Sequence, residues 1–128
     1  MLQRSRSRAS GGSGAGHAMV FAALGDETRL ALVTKLSDGG SYSIAELSDF
    51  QRGHSQGSGG AVLTRQAITK HLRVLERARI VHGVRAGREN LFVLDPRPIA
   101  EMKAYLELVS REWDEALARL KAFEEERA

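Results

Sequence analysis

The chain of 128 residues contains no cysteine. This absence excludes disulfide bonds, thiolate ligands for a metal ion and cysteine-based redox switching. The chain also has no apolar run approaching the ~20 residues of a membrane-spanning helix, and its first residues are polar rather than those of an apolar signal sequence. We therefore expect a cytoplasmic protein without a membrane segment.

The four histidines offer little for a metal site, because their spacing forms no recognisable ligand cluster. They are His17, His54, His71 and His82. The segment Gly53–Gly57 matches the G-x-S-x-G motif of serine hydrolases, but that chemistry requires a buried strand before the serine and a helix after it. Neither is evident in so short a chain, so we interpret the segment as a loop. The sequence thus predicts no metal, no cofactor and no enzymatic activity.

One domain is expected from this length, with a core drawn from the 42% of residues that are hydrophobic. Residues 1–16 combine arginine with glycine and serine, a composition that buries too little apolar surface to offset the entropy of ordering. They predict a flexible basic tail, which is either a solvated terminus or an arm that adds phosphate contacts. The folded domain is expected to comprise residues 17–128.

Helix signals begin directly after the tail. A first apolar helix is predicted over residues 17–24. Asp26 is a good N-cap for a second helix that ends near Leu36, before Asp38, Gly39 and Gly40. The apolar positions of this second helix are Leu30, Leu32, Val33 and Leu36. We expect these positions to face the core.

A third, short helix is predicted to begin at a capping box. Ser43 and Glu46 have the S-x-x-E spacing, in which each side chain accepts a hydrogen bond from the backbone N–H of the other residue. The helix is expected to end near Phe50. The glycine-rich residues 51–62 then predict an inserted surface loop, which is tolerated because closing a longer loop costs little additional entropy.

The stretch from Thr64 to Leu94 predicts a basic helix followed by a β-hairpin. Thr64 is a good N-cap, and Ile68, Leu72 and Leu75 recur at helical spacing, so one face of this helix is expected to pack inward. The polar and basic side chains that remain are Arg65, Gln66, Thr69, Lys70 and Arg73. Long polar side chains near a helix N-terminus are typical of a helix that reads base edges in the major groove.

The hairpin and its charge complete this picture. Strands are predicted over residues 80–85 and 90–94, with a turn over residues 86–89 that places Arg85 and Arg88 near the tip. Between residues 65 and 88 there are seven basic residues and one acidic residue, Glu76, although the whole chain carries a net charge of only +3. Such a local excess of positive charge is the footprint of a partner that is a polyanion.

The last segment predicts a helix over residues 98–125. Its apolar residues alternate spacings of three and four, the pattern of a coiled-coil seam. They are Ile99, Met102, Leu106, Val109, Trp113, Ala116, Leu120 and Phe123. At ~1.5 Å per residue the seam is roughly 37 Å long, which favours a homodimer interface over a helix that folds back on its own domain. Phe21 and Leu24 on the first helix are expected to complete that interface.

The run TRQAITKHLRVLE and the hairpin after it resemble the recognition helix and wing of ArsR/SmtB-type winged-helix repressors. The likeness extends upstream to FAALGDETRL, residues 21–30, which is similar to that family's ALADPTRL opening, and it covers roughly residues 19–123. The chain resembles a cysteine-free, metal-independent branch. The resemblance implies a mainly α protein with a small β-hairpin (α+β), a winged helix-turn-helix with long N- and C-terminal dimerisation helices.

The function that the resemblance implies is transcriptional repression by a homodimer on an inverted-repeat operator in double-stranded DNA. We expect DNA contacts from Thr64, Arg65, Gln66, Thr69, Lys70, Arg73, Arg85 and Arg88. The alternative is a winged-helix module for protein–protein interaction, which the local positive charge disfavours. No effector is indicated. The chain departs from the family at the insertion and at Arg79, where the family usually has glycine. If that position keeps a left-handed backbone, strain of about 1 kcal/mol is expected.

Overall fold

The computed structural model describes residues 16–56 and 64–127, apart from the side chains of residues 54–56. The helices are α1 (16–24), α2 (Glu27–Leu36), α3 (Ile44–Gln56), α4 (Arg65–Arg77) and α5 (Pro96–Arg127). The strands are β1 (Tyr42–Ser43), β2 (Val81–Ala86) and β3 (Glu89–Leu94). This mainly helical chain with a small antiparallel sheet confirms the predicted class, a winged helix-turn-helix with a long C-terminal helix.

Two predictions fall partly outside the described residues. The basic tail predicted over residues 1–16 does so except for Gly16, which is the first residue of α1 and was wrongly placed in the tail. The loop predicted over residues 51–62 lies outside them from residue 57 onward. Helices α1–α4 and the sheet belong to one compact unit that ends at Pro98, and the rest of α5 belongs to a second.

Helix α2 begins as predicted. The Oδ2 atom of Asp26 accepts a hydrogen bond from the Arg29 amide at 3.0 Å, and the backbone of Asp26 is extended, as an N-cap requires. The buried residues of α2 are Ala31, Leu32, Val33 and Leu36. The prediction that Leu30 faces the core was wrong, because its side chain is 52% exposed. Residues 30 and 32 point about 200° apart around a helix and cannot share one face.

Helix α3 confirms the predicted capping box but continues further than expected. The Ser43 amide donates to Glu46 Oε1 at 2.9 Å, and the Glu46 amide donates to Ser43 Oγ at 3.2 Å. The helix then runs to Gln56, so the predictions of an end near Phe50 and of a loop over residues 51–56 were wrong. A glycine such as Gly53 weakens a helix by about 1 kcal/mol but does not end it.

The predicted hairpin is confirmed as β2 and β3. They are joined by the two-residue turn Gly87–Arg88, in which Gly87 has a φ of 64°, as the first position of a type II′ turn requires. The third strand, β1, was not predicted. Tyr42 pairs with Phe92 and Ser43 with Leu91, which gives the strand order β1-β3-β2. Two residues carry too little pattern for a strand to be recognised in the sequence.

The core of the first unit lies between these helices and the base of the sheet. Ile68, Leu72 and Leu75 of α4 are almost fully buried, as predicted. The other large side chains with the least exposure are Leu32, Leu36, Leu47, Ile80 and Val81. Since one face of α4 is buried among such residues, the opposite face of the helix is directed to solvent.

Arg79 has a φ of 64°, so this position keeps the left-handed backbone for which strain is expected. A side chain in this region of backbone space is strained by roughly 1–2 kcal/mol, whereas glycine adopts it freely. We expect Arg79→Gly to raise the free energy of unfolding by up to about 1 kcal/mol, because part of the relieved strain is offset by the greater flexibility of unfolded glycine. Urea denaturation measures the change.

Arg77→Gly is the matched control for this prediction. Arg77 is an exposed arginine with helical backbone at the end of α4, where glycine is expected to lower the free energy of unfolding by about 0.5–1 kcal/mol. Changes of opposite sign in the free energy of unfolding of the two variants support strain at Arg79. A loss of stability in both variants contradicts it.

Helix α5 has 32 residues and extends two residues beyond each predicted end. Leu106, Leu120 and Phe123 of the predicted seam are exposed, and Trp113 is 67% exposed, the largest fraction among the large apolar side chains described. Ile99 and Val109 are partly buried, Ala116 is exposed and Met102 is buried. Leu117, which the spacing rule omitted, lies on the same stripe and is exposed. None of the described helices combines the length and apolarity that a bilayer crossing requires.

Candidate nucleic-acid interface

The N-terminal half of α4 presents the predicted base-reading side chains to solvent. Arg65, Gln66 and Lys70 are exposed, and Arg73 follows on the same side of the helix. Thr69 is partly buried, and its hydroxyl donates to the carbonyl oxygen of Arg65 at 2.8 Å. The Thr69 proton is therefore used within the helix, and what Thr69 offers a partner is a methyl group and a hydroxyl lone pair.

Thr64 confirms its predicted role as the N-cap of α4. Its Oγ1 atom accepts a hydrogen bond from the Ala67 amide at 3.1 Å, and its backbone is extended. No acidic residue lies in the first turn, so the positive end of the helix dipole is not neutralised from within the helix. A helix N-terminus without an acidic residue can bind a phosphate group through its free backbone N–H groups and its positive dipole.

The wing stands beside α4. Helix α4 packs against β2, and the two are joined by the short turn over residues 78–80. Every residue of β2 after Val81 is exposed. Arg85 lies opposite Asn90 in the ladder, and Arg88 occupies the turn itself, so both predicted wing arginines are at the tip and exposed. The structure therefore brings the two predicted sets of basic residues to adjacent elements of one unit.

Arg29 holds the recognition helix to the start of the domain, a role that the sequence did not reveal. Its Nε donates to the carbonyl oxygen of Ala23 at 2.6 Å, and its Nη2 donates to that of Ala22 at 3.4 Å. Its Nη1 lies 3.2 Å from Nδ1 of His71 on α4. One guanidinium thus joins the last turn of α1 to the helix that carries the predicted DNA contacts. Its partner His71 lies 42 residues away in the chain, so no local pattern indicates the contact.

His71, which is partly buried, is therefore part of a cluster of polar side chains between α2 and α4. Because a guanidinium can only donate, the contact with Arg29 is a hydrogen bond when Nδ1 of His71 carries a lone pair. Asp26 Oδ2 lies 3.7 Å from the same nitrogen atom. Asp26, Arg29 and His71 together connect the cap of α2 to α4.

The Asp26 carboxyl in this cluster has a perturbed pKa. Burial raises the pKa, but the hydrogen bonds from the Arg29 and Thr28 amides and the positive charge of Arg29 outweigh burial, so that the pKa lies below its ordinary value. The stabilisation provided by this carboxylate is therefore present above its ordinary pKa, and it is lost as the pH falls through the lowered value. The cluster is expected to loosen in acid and to be intact near neutral pH.

The sequence is similar to those of known transcriptional regulators. No family model matches the chain. It is 34% identical over 89 residues to the uncharacterized HTH-type transcriptional regulator YuzN of Bacillus subtilis, which covers 69% of this chain and 92% of the relative. It is 33% identical over 95 residues to the HTH-type transcriptional regulator Rv2034 of Mycobacterium tuberculosis, which covers 74% of this chain and 76% of the relative.

A solved structure gives the same result. The ArsR-like transcriptional regulator from Rhodococcus sp. RHA1 superposes with a TM-score of 0.64 at 34% identity, covering 88% of this chain and 95% of that one. The fold and the exposed recognition helix define a winged-helix DNA-binding protein. The chain belongs to the ArsR family of helix-turn-helix transcriptional regulators, as its resemblance indicated. These relatives are regulators, and no enzymatic family is found among them.

The predicted absence of metal stays a prediction. Among residues 16–56 and 64–127, no three histidine, aspartate or glutamate side chains come together as a potential metal site. The hydrolase-like motif also has no strand before it, because the residues that precede it and residues 53–56 of the motif are part of α3. This helical backbone corrects the interpretation of those residues as a loop, while Gly57 lies outside the described residues.

Proposed function

We propose that this regulator is a cytoplasmic homodimeric repressor that binds an inverted-repeat operator in double-stranded DNA. The observation that carries the proposal is the joint exposure of the α4 face and the adjacent wing, in a segment with seven basic residues and one acidic residue between Arg65 and Arg88. Occupying an operator in this way represses transcription by excluding the polymerase. No effector is assigned.

We assign some of these side chains to base edges and the others to the DNA backbone. Arg65, Gln66 and Lys70 are long and exposed near the start of α4, and they contact base edges in the major groove together with Thr69. Thr64 is committed to its cap, so it contributes through the helix terminus rather than by reading a base. Arg73 fixes the helix on the backbone, and the wing residues Arg85 and Arg88 reach flanking phosphates.

Self-association through α5 would duplicate this reading element. The exposed apolar stripe that includes Leu106, Trp113 and Leu120 supports the proposal, because a stripe of this kind is the seam of a coiled coil. Phe21 is 38% exposed and Leu24 is partly buried, and both are proposed to extend the seam. Met102 is buried and has little surface to offer a second copy. Two-fold symmetry then predicts half-sites about one helical turn apart, roughly 34–36 Å.

Gln66→Ala tests whether α4 reads sequence. Its amide can make two hydrogen bonds to one base, and we expect the substitution to relax preference by about 1–3 kcal/mol at one or two base pairs. The measurement is a selection of binding sites from a random duplex pool, performed with both proteins at the same salt concentration. An unchanged site preference would show that α4 is not the reading element.

Arg88→Ala is the matched control, because it removes an exposed charge from the wing rather than a base reader. We expect it to weaken binding to every sequence to a similar degree and to reduce the slope of log affinity against log salt by about one phosphate contact. The preferred site should stay the same. A change of preference in this variant would assign base reading to the wing.

The competing function is a protein-interaction module. The observation in its favour is Val84, an apolar side chain of the wing that is 43% exposed. A single exposed apolar residue is ordinary at a protein surface, and the basic residues around it are unlike the centre of a protein interface. A random duplex decides the matter: DNA binding predicts retention at low salt and release as the salt concentration rises. A protein-interaction module predicts no retention at any salt concentration.

A further inference from the structure

A cleft lies between the C-terminal half of α4 and the base of the wing, away from the first turn that reads DNA. Its volume is about 650 Å³. Arg73 and Arg77 line it from α4, Arg79 from the turn after that helix, and Val81 and His82 from β2. A volume of this size falls within the ~300–1000 Å³ of typical small-molecule sites.

The positive charge in the cleft is not balanced by the acidic residues that line it. Asp95 accepts hydrogen bonds from the side chain of Arg97 at 2.6 and 3.0 Å and from its amide at 3.0 Å. These bonds hold the pKa of Asp95 well below its ordinary value, so its charge is present and is committed to Arg97. Among the described residues, Arg73, Arg77 and Arg79 form no ion pair within 4.0 Å. Glu76 is the one other acidic residue in the lining.

The backbone at Arg79 is a second feature of this cleft. This residue keeps a left-handed conformation that glycine would adopt without strain. Strain of this kind persists where the surrounding structure requires it, and it is concentrated at ligand sites. Here the strained position belongs to an arginine that lines the same cleft as Arg73 and Arg77 of α4.

The geometry points to an anion site: the cleft binds a phosphate-bearing anion through Arg73, Arg77 and Arg79. Guanidinium groups match phosphate oxygens by paired hydrogen bonds, so a cleft lined by these three arginines suits a phosphate rather than a neutral ligand. The phosphate belongs either to the DNA backbone or to a free anion such as a nucleotide. Because Arg73 is also a proposed DNA contact, a free anion in the cleft competes with DNA; this consequence alone rests on the proposed function.

Inorganic pyrophosphate is the probe for a free anion. It is titrated into the full chain by calorimetry at constant ionic strength, with chloride replaced as pyrophosphate is added. We expect saturable binding that weakens about tenfold in Arg77→Ala and in Arg79→Gly, since each loses a charge-assisted contact. Arg79→Gly is expected to be more stable than the natural chain, so weaker binding in that variant is not a result of unfolding. Arg111→Ala, an exposed arginine on α5, is the control and should bind as the natural chain does.

A random DNA duplex tests the other source. If the cleft takes a backbone phosphate, Arg77→Ala reduces the salt slope of DNA binding by about one contact, Arg111→Ala leaves it unchanged and pyrophosphate does not saturate. Either pattern supports the site and identifies the source of its phosphate. Equal behaviour of Arg77→Ala and Arg111→Ala in both experiments would overturn it. If the protein binds pyrophosphate but does not bind DNA, the anion site is supported and the proposed function is wrong.

Discussion

Trp113→Ala is expected to weaken self-association of the full chain by roughly 1000-fold. Trp113 is 67% exposed in the single chain and lies on the apolar stripe of α5. Loss of a buried tryptophan from an interface costs about 2 kcal/mol or more of binding free energy. A symmetric dimer loses two copies, so the free energy of dimerisation falls by about 4 kcal/mol, which is about 1000-fold in the dissociation constant. Sedimentation equilibrium over a range of protein concentrations measures this constant.

Arg111→Ala is the control for the dimer seam. Arg111 lies two residues before Trp113 and about 200° away around the helix, so it is off the stripe although it is also exposed. We expect its dissociation constant to be that of the natural chain. Equal dissociation constants for Trp113→Ala and the natural chain would show that α5 is not the dimer interface. A natural chain that is monomeric at every concentration would contradict the dimer itself.

Arg29→Met is expected to lower the free energy of unfolding by about 1.5–3 kcal/mol, because the lost hydrogen bonds come from a charged group. Methionine keeps the apolar stem but cannot donate to the Ala23 carbonyl oxygen or to Nδ1 of His71. Urea denaturation followed by circular dichroism measures the loss. All variants must be compared at one protein concentration, since the stability of a dimer depends on it.

Two further variants determine what Arg29 does. Arg111→Met removes an exposed arginine and is expected to change stability by less than about 0.5 kcal/mol. The double variant with His71→Ala should be more stable than the sum of the single losses predicts, by about 0.5–3 kcal/mol, because the two residues share one contact. Strict additivity would show that Arg29 stabilises the fold without acting through His71.

The recognition helix and wing could be predicted from sequence because their signals are local. Each signal depends on residues within a few positions of one another: the Thr64 cap, the buried Ile68 and Leu72, and the turn around Gly87. Strain at Arg79 was predicted for the case that the position keeps a left-handed backbone, and its φ of 64° meets that condition. The exposed face of α4 follows directly from its buried face. Local periodicity therefore defined the elements of the proposed interface and their order.

What escaped prediction depends on contacts between distant segments. Strand β1 exists because two residues meet β3 about fifty positions later, and the Arg29–His71 contact joins α2 to α4. The end of α3 was misplaced because the glycine-rich composition of residues 51–62 was interpreted as a loop, although a helix that packs elsewhere along its length tolerates one glycine. The cleft combines residues from α4, β2 and the segment after β3, so it is visible only once the chain is folded.

The strand order β1-β3-β2 leaves β2 at the edge of the sheet. An edge strand offers unpaired backbone groups to any other extended chain, and proteins that remain soluble protect such edges with charge. On β2 that protection comes from Arg85, with Arg88 at the adjoining tip. The guanidinium groups proposed to hold DNA thus also guard the unbound protein against strand-to-strand aggregation. Neutralising both arginines would therefore threaten solubility as well as affinity.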